Sequence, residues 1–397
     1  MSILKKCGEY TTAHETEALG RYPYFWPIEE ATTTEAKIGG EWKVMVGSNN
    51  YLGLTHHPKV LEAARHALTK YGSGSTGSRL LNGTLDLHYE LEGRLARLFK
   101  KEAALVFTTG YQASVGAIAQ LVGRGEHMFL DKLDHASLVD GARLSNGEMH
   151  RYPHGDFASL DKQLSRIPRD ANKLVVSDGV FSMEGTIVDL PGLVQVARKH
   201  DAQTLIDEAH ALGVLGPDGA GTASHFGMLD DVDLVLATFS KSLASVGGVV
   251  AGPAQVIHWL RHFSRALIFT AAMPPSSVAG ALAALEVMQS EPERREKLWA
   301  NTNAVAEGLR AMGFDIGASQ TPVIPVLIGN FDNVLRAWRS LFDDGVFSHP
   351  IVPPAVSMSA CRIRVSMSAE HTPEQIERVL LAFERVAKML GSEAAVF

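Results

Sequence analysis

At 397 residues the chain is long enough to bury a large core, with room for two domains around one cleft. Its 46% hydrophobic and 20% charged residues are ordinary for a globular protein, and a net charge of −7 gives no support for nucleic-acid binding, which wants a basic stripe. Cys7 and Cys361, the only cysteines, exclude a disulfide framework and a Cys-rich metal site.

The sixteen histidines include no His-Glu-x-x-His pair, and the neighbours His56 and His57 share no helix face, so no metal is expected. Met1–Lys6 runs into polar residues rather than an apolar core, so no secretory signal is expected. The most apolar stretch, Val278–Met288, contains Glu286 and is too short to span a bilayer. The expected compartment is the cytoplasm.

Residues 1–57 read as an N-terminal arm. Its aromatic cluster, Tyr22-Pro23-Tyr24-Phe25-Trp26-Pro27, is expected to pack against the body or a partner subunit rather than a greasy substrate. Lys43–Val46 is a short strand that runs into Gly47–Leu54. From Pro58 to Tyr71, Val60, Leu61, Ala64 and Leu68 recur at helical spacing. The next residues, Gly72-Ser73-Gly74-Ser75-Thr76-Gly77, match the dinucleotide string Gly-x-Gly-x-x-Gly in form only. That fingerprint needs a strand before it and a helix opening inside it, whereas here a helix precedes and irregular chain follows to Thr84. A hydroxyl-rich loop whose backbone can approach a ligand closely is expected instead.

Leu87, Leu91, Leu95 and Leu98 mark an amphipathic helix. Strand, loop and helix then alternate, with strands expected at 103–108, 127–131, 173–177, 203–207, 232–238 and 248–251. This pattern predicts an α/β domain over 58–290, with a mostly parallel central sheet covered by helices. A charged helix from Glu291 to Met312 opens a smaller α+β C-terminal domain, 291–397, with strands at 322–328, 346–349 and 362–367. The last helix has a capping box in Thr372 and Gln375, Pro373 at its first position and Gly391 after its end.

Two strand ends carry the chemistry. The apolar run Val232–Ala237 closes in Thr238-Phe239-Ser240-Lys241, and Thr204–Ile206 closes in Asp207-Glu208-Ala209-His210. Open α/β sheets place ligands at such C-terminal strand ends. A lysine able to form a Schiff base and an aspartate able to hold a pyridinium nitrogen together point to pyridoxal phosphate (PLP). Thr109-Gly110-Tyr111-Gln112, where a strand hands over to a helix, offers N–H groups to the phosphate, and Thr238 and Ser240 offer hydroxyls. His135 is the candidate for the ring face, and His210 and Ser182 are candidates for the ring oxygen. Each has a plainer reading: a surface lysine, a helix-start turn at Gly110, a turn serine at Ser182, a structural histidine at His135.

The motifs Ser48–Leu54, Asp134-His135-Ala136-Ser137, Asp207–His210 and Thr238–Lys241 together resemble the α-oxoamine synthase family of PLP enzymes, from Tyr22 to Phe383. The resemblance implies fold-type I, the aspartate aminotransferase-like fold, and a homodimer whose active sites lie at the interface. It implies that Lys241, His135, Asp207 and His210 are catalytic. It also implies that Asn49 and Arg364 hold the amino-acid carboxylate, with Arg362 as rival, that Ser75 lies near substrate, and that Thr270 reaches the neighbouring subunit's phosphate. The Gly72–Thr84 loop, the Tyr24–Ile28 arm and Val352–Val356 resemble the members that condense L-serine with a long-chain acyl-CoA. The expected reaction is that decarboxylative condensation, giving 3-ketodihydrosphingosine. The alternative is a sibling synthase taking glycine or alanine and another thioester, CoA-bound or carrier-bound. An aminotransferase and a non-catalytic partner subunit stand further off. No nucleic acid and no transmembrane segment are expected, and peripheral membrane contact stays open.

Overall fold

The computed structural model describes residues 2–394, which form two compact units, one of residues 49–298 and one of residues 2–48 with 299–394. Three short strands precede the larger unit: β1 (Glu30–Ala31), β2 (Glu35–Ile38) and β3 (Glu41–Met45), paired antiparallel in sequence order.

The larger unit is built on seven strands: β4 (Ala103–Phe107), β5 (His127–Asp131), β6 (Glu148–Tyr152), β7 (Lys173–Asp178), β8 (Gln203–Asp207), β9 (Leu234–Thr238) and β10 (Gly248–Gly252). Their order is β4-β10-β9-β8-β7-β5-β6. From β9 to β6 every pairing is parallel, while β10 runs antiparallel to both β9 and β4. Residues throughout β5, β7, β9 and β10 are buried. That is why these strands read as apolar runs rather than as alternation. Parallel register brings Asp178 beside Asp207 at one end of the sheet, with Thr238 ending β9 there. Helix Gly110–Leu121 packs over this sheet through Ala113, Ala117 and Ile118, all without exposed surface. Helix Pro275–Ser290 is buried on most sides and packs on helix Pro58–Tyr71.

The smaller unit contains β11 (Val323–Gly329), β12 (Val346–Phe347), β13 (His349–Ile351) and β14 (Cys361–Ser366). One sheet has the order β11-β14-β13, all antiparallel. β12 pairs in parallel with β3, placing Val346 opposite Val44. This pairing places the expected arm with the C-terminal segment instead of leaving it as a unit of its own. Trp26 packs there too, its ring 4.9 Å from that of Phe342.

Several local expectations need correction. The strand expected at 346–349 is two strands, separated at Ser348. Leu68 lies outside the buried stripe of its helix, at 46% exposure, while Ala67 is buried in it. Gly391 does not follow the last helix, which runs Pro373–Ala394 through it. A glycine costs a helix about 1 kcal/mol, and the buried stripe of Val379, Phe383 and Val386 holds the helix nonetheless. Its start is as expected: Thr372 and Gln375 exchange side chain-to-backbone bonds of 3.1 and 3.3 Å. Among the described residues, no helix is long and apolar enough to cross a membrane.

Candidate active site

A cavity of about 390 Å³ opens at the C-terminal ends of β7, β8 and β9. Its volume falls within the usual range for a small-molecule site. Gly110, Tyr111, His135, Ser182, Asp207, His210, Thr238, Ser240 and Lys241 all line it. Thr270, Asn49 and Ser75 do not.

Asp207 is 4% exposed, and its Oδ1 accepts the N–H of Ala209 at 2.9 Å. Burial raises its carboxyl, while Lys241, the Ala209 N–H and His135 pull it back. Glu208, the next residue, accepts the N–H groups of Thr222 and Ala223 and is pushed up to about 7 by burial. Consecutive residues at the strand end thus divide their roles, one toward the cavity and one toward structure.

His135 caps the helix Ala136–Leu144, accepting the Ser137 N–H at Nδ1. An acceptor Nδ1 puts the ring proton on Nε2. Burial also lowers the ring's pKa, against the pull of Asp207, so the imidazole is held neutral. Its backbone N–H donates to Asp178 Oδ2 at 3.1 Å. Asp134 accepts the N–H groups of Asp131 and Asp178. Burial, reinforced by neighbouring carboxylates, raises both Asp134 and Asp178, against the pull of the backbone N–H groups they accept.

The anion end is built by close backbone approach. Thr109 caps the helix Gly110–Leu121 by accepting the Gln112 N–H at 3.1 Å. A Cβ on Gly110 would fall 2.5 Å from Thr238 Oγ1, so glycine is what lets this helix start sit against the end of β9. Thr238 Oγ1 lies 2.9 Å from Ser240 Oγ, leaving a pair of hydroxyls on the same wall.

The remaining candidates sit elsewhere. Thr270 accepts the side-chain amide of Gln112 at 3.1 Å. Ser75 donates to the carbonyl of Gly77. Asn49 receives the hydroxyl of Tyr51, which also lies 2.7 Å from His210 Nδ1. Arg364 and Arg362 are buried on β14 of the smaller unit, two residues apart and so on one face. Asp178 and Ser114 line the cavity and were not singled out from sequence. Asp178 carries the signal that identified Asp207, an acidic residue closing an apolar strand.

The cavity fits PLP by its chemistry: a lysine amine, a buried carboxylate, a neutral imidazole, and a helix start with two hydroxyls for a phosphate. The family model for aminotransferase class I and II matches residues 42–383. The serine palmitoyltransferase of Sphingobacterium spiritivorum is 48% identical over 394 residues, 99% of each chain. The 8-amino-7-oxononanoate synthase of Thermoanaerobacter pseudethanolicus is 39% identical over 378 residues, 95% of this chain and 96% of that one. Among solved structures, a variant serine palmitoyltransferase from S. paucimobilis with a bound PLP–myriocin aldimine matches with a TM-score of 0.96. The two are 38% identical, over 99% of this chain and 100% of that one.

Proposed function

The chain belongs to the aminotransferase class I and II family, among its α-oxoamine synthases, and from that premise we propose that it condenses L-serine with a long-chain acyl-CoA. Palmitoyl-CoA is the proposed donor and 3-ketodihydrosphingosine the product. The observation that carries the reading is the convergence of Lys241, Asp207, His135 and His210 on one cavity, in a chain 48% identical to a serine palmitoyltransferase.

PLP, when bound, supplies an electron sink for negative charge at the amino acid's Cα. Lys241 would hold the cofactor through its Nζ, and the same atom, when free, would take the Cα proton. Asp207 would keep a proton on the cofactor's ring nitrogen by presenting a buried negative charge to it. His135 would cover the cofactor's ring as a neutral imidazole, and its Nε2–H would be a donor for the oxygen of the forming ketone. The N–H groups of Gly110 and Tyr111, with the Thr238 and Ser240 hydroxyls, receive the phosphate. Ser182 and His210 are proposed to bond the ring oxygen. The new bond joins Cα to the acyl carbon, the carbon–sulfur bond breaks to release CoA, the carboxylate leaves as carbon dioxide, and Cα takes up a proton in its place. Asn49 and Arg364 are proposed to hold that carboxylate, and Ser75 to lie near substrate, on the strength of the family resemblance. The same resemblance supports a homodimer with sites completed across the interface, Thr270 contributing to the neighbour's phosphate, and a cytoplasmic setting.

The test is condensation rate with serine, alanine and glycine against acyl-CoA donors from acetyl to stearoyl, read as free thiol and carbon dioxide. Serine with palmitoyl-CoA is expected to lead. A lead for glycine with acetyl-CoA overturns the substrate reading and leaves the synthase reading. Transamination without thiol release overturns both. A fully active monomer in sedimentation-checked assays overturns the composite site.

A further inference from the structure

The opposite end of the central sheet carries a second convergence of chemistry. His127 opens β5 and Glu148 opens β6, and the parallel register sets them side by side. His150 stands two residues beyond Glu148, so all three side chains share one face of the two strands. His127 Nδ1 lies 3.2 Å from His150 Nε2 and 3.5 Å from Glu148 Oε2. One donor atom from each residue falls within 4.8 Å of the others, the one such group among the described residues.

The two spacings from His127 match two edges of a metal tetrahedron, and the third is bounded at 4.8 Å. Ligand bonds of about 2.0–2.2 Å, as zinc makes with imidazole and carboxylate, put neighbouring donors about 3.3–3.5 Å apart. A hydrogen bond alone would account for the pair of histidines, but it leaves the third donor's convergence unexplained. A proton on His127 Nδ1 can serve His150 or Glu148, whereas a cation serves both. His150 is held in place, its ring stacked on Phe129 at 4.7 Å and 15°. Lys173, beside His127 on β7, directs its ammonium to the carbonyls of Pro168, Arg169 and Ala171, within 3.3 Å of each. Glu148 is the exposed member, its side chain 65% accessible, and gives an ion a way in.

We propose that His127, Glu148 and His150 form a binding site for a divalent transition metal of the zinc class. Two imidazoles and one carboxylate favour such an ion over magnesium or calcium, which prefer all-oxygen ligands. Three protein ligands leave the fourth position to water or to a residue of another molecule. Five residues of β7 separate the register level of His127 from Asp178 at the cavity, about 16 Å of strand. The ion therefore takes no part in the cavity's chemistry. It ties β6, an edge strand whose one partner is β5, to the rest of the sheet. The absence of a sequence motif is expected, because the ligands come from two strands twenty-one residues apart in register.

The test uses holoenzyme freed of metal by chelation and titrated with Co²⁺, whose tetrahedral d–d bands lie to the red of the cofactor's absorption. The parent is expected to show these bands, saturating at about one Co²⁺ per chain, displaceable by Zn²⁺ and accompanied by a rise in Tm. His150→Asn is expected to abolish them. Glu148→Gln, at an exposed position where the fold is indifferent, should weaken binding by about tenfold or more. A parent without tetrahedral bands, or both variants binding Co²⁺ like the parent, overturns the site and leaves a hydrogen-bonded histidine pair.

Discussion

The hydroxyl of Tyr51 lies 2.7 Å from Nδ1 of His210 and 3.4 Å from Oδ1 of Asn49. Tyr51 is fully buried, so one phenol joins the loop after Ser48 to the strand-end motif that supplies Asp207. Tyr51→Phe keeps the ring's packing and removes that link. A net loss of about 0.5–1.5 kcal/mol in stability is expected from the missing hydrogen bond. Because His210 loses its orienting contact, cofactor affinity should fall with it. Denaturant midpoints and cofactor absorbance on dialysis check both, and unchanged cofactor retention would refute the orienting role.

A second prediction concerns the loop that follows helix Pro58–Tyr71. Arg79 Nη2 meets Glu92 Oε1 at 2.9 Å with both side chains almost fully buried. Arg79 also donates to the Val106 carbonyl, and Glu92 accepts the Val106 N–H, so the pair fastens the loop to β4. Removing Arg79 leaves the buried Glu92 carboxylate with only Arg261, 3.5 Å from its other oxygen, and Arg79→Ala should cost up to about 3–5 kcal/mol. The double change Arg79→Met with Glu92→Leu should recover most of that loss. Urea denaturation of the three proteins measures it. Equal stability of the single and double variants would show that the pair does not act as a buried ion pair.

Much of this site was legible because its residues close strands. Lys241 and Asp207 each end an apolar run, and a run buried on both faces needs no partner to be recognised. Gly110 was legible as the handover from strand to helix. Asp178 had the same signal and was passed over, since nothing in its own neighbourhood marks it as facing Asp207. That relation exists only in the register of β7 with β8. β6 escaped because its residues are mostly exposed and polar, as edge strands are. The attachment of the N-terminal strands to the C-terminal unit rests on β3 pairing with β12, some 300 residues away. A contact at that separation leaves no trace in local periodicity.

Acid stability should depend on His371. Its Nδ1 accepts the Ser368 N–H at 3.0 Å and its Nε2 donates to the Met45 carbonyl at 3.1 Å, which requires the neutral ring. Burial pushes its pKa down to about 4, against the pull of the Met45 carbonyl. The folded value lies below the unfolded one of about 6.5, so the unfolded chain takes up the proton first as pH falls. The contribution is complete above about 6.5 and is lost as pH drops through about 4, on the order of 3 kcal/mol in all. His371→Gln should lower stability at neutral pH and flatten the profile across this window. A variant whose Tm falls with acid as steeply as the parent's would show that another group controls it.

The last prediction separates charge from shape at the cavity. Asp207→Asn preserves the side chain's outline and its bond from the Ala209 N–H, and removes only the negative charge. The fold should tolerate it, because the carboxyl is buried at a cost that burial itself reveals by raising its pKa. The step that needs the charge is removal of the serine Cα proton. That step can be followed without acyl-CoA, by NMR of Cα-proton exchange in deuterated water. Asp207→Asn should slow exchange by about a hundredfold to a thousandfold, the usual worth of one preorganised electrostatic group. Lys241→Ala, which removes the base, should slow it by up to about ten-thousandfold. Borohydride treatment of the parent should place the cofactor on Lys241, and an adduct on another lysine would remove the basis for both variants. If Asp207→Asn exchanges at the parent rate while holding cofactor, the carboxylate serves binding alone, and removal of the proton by Lys241 does not depend on its charge.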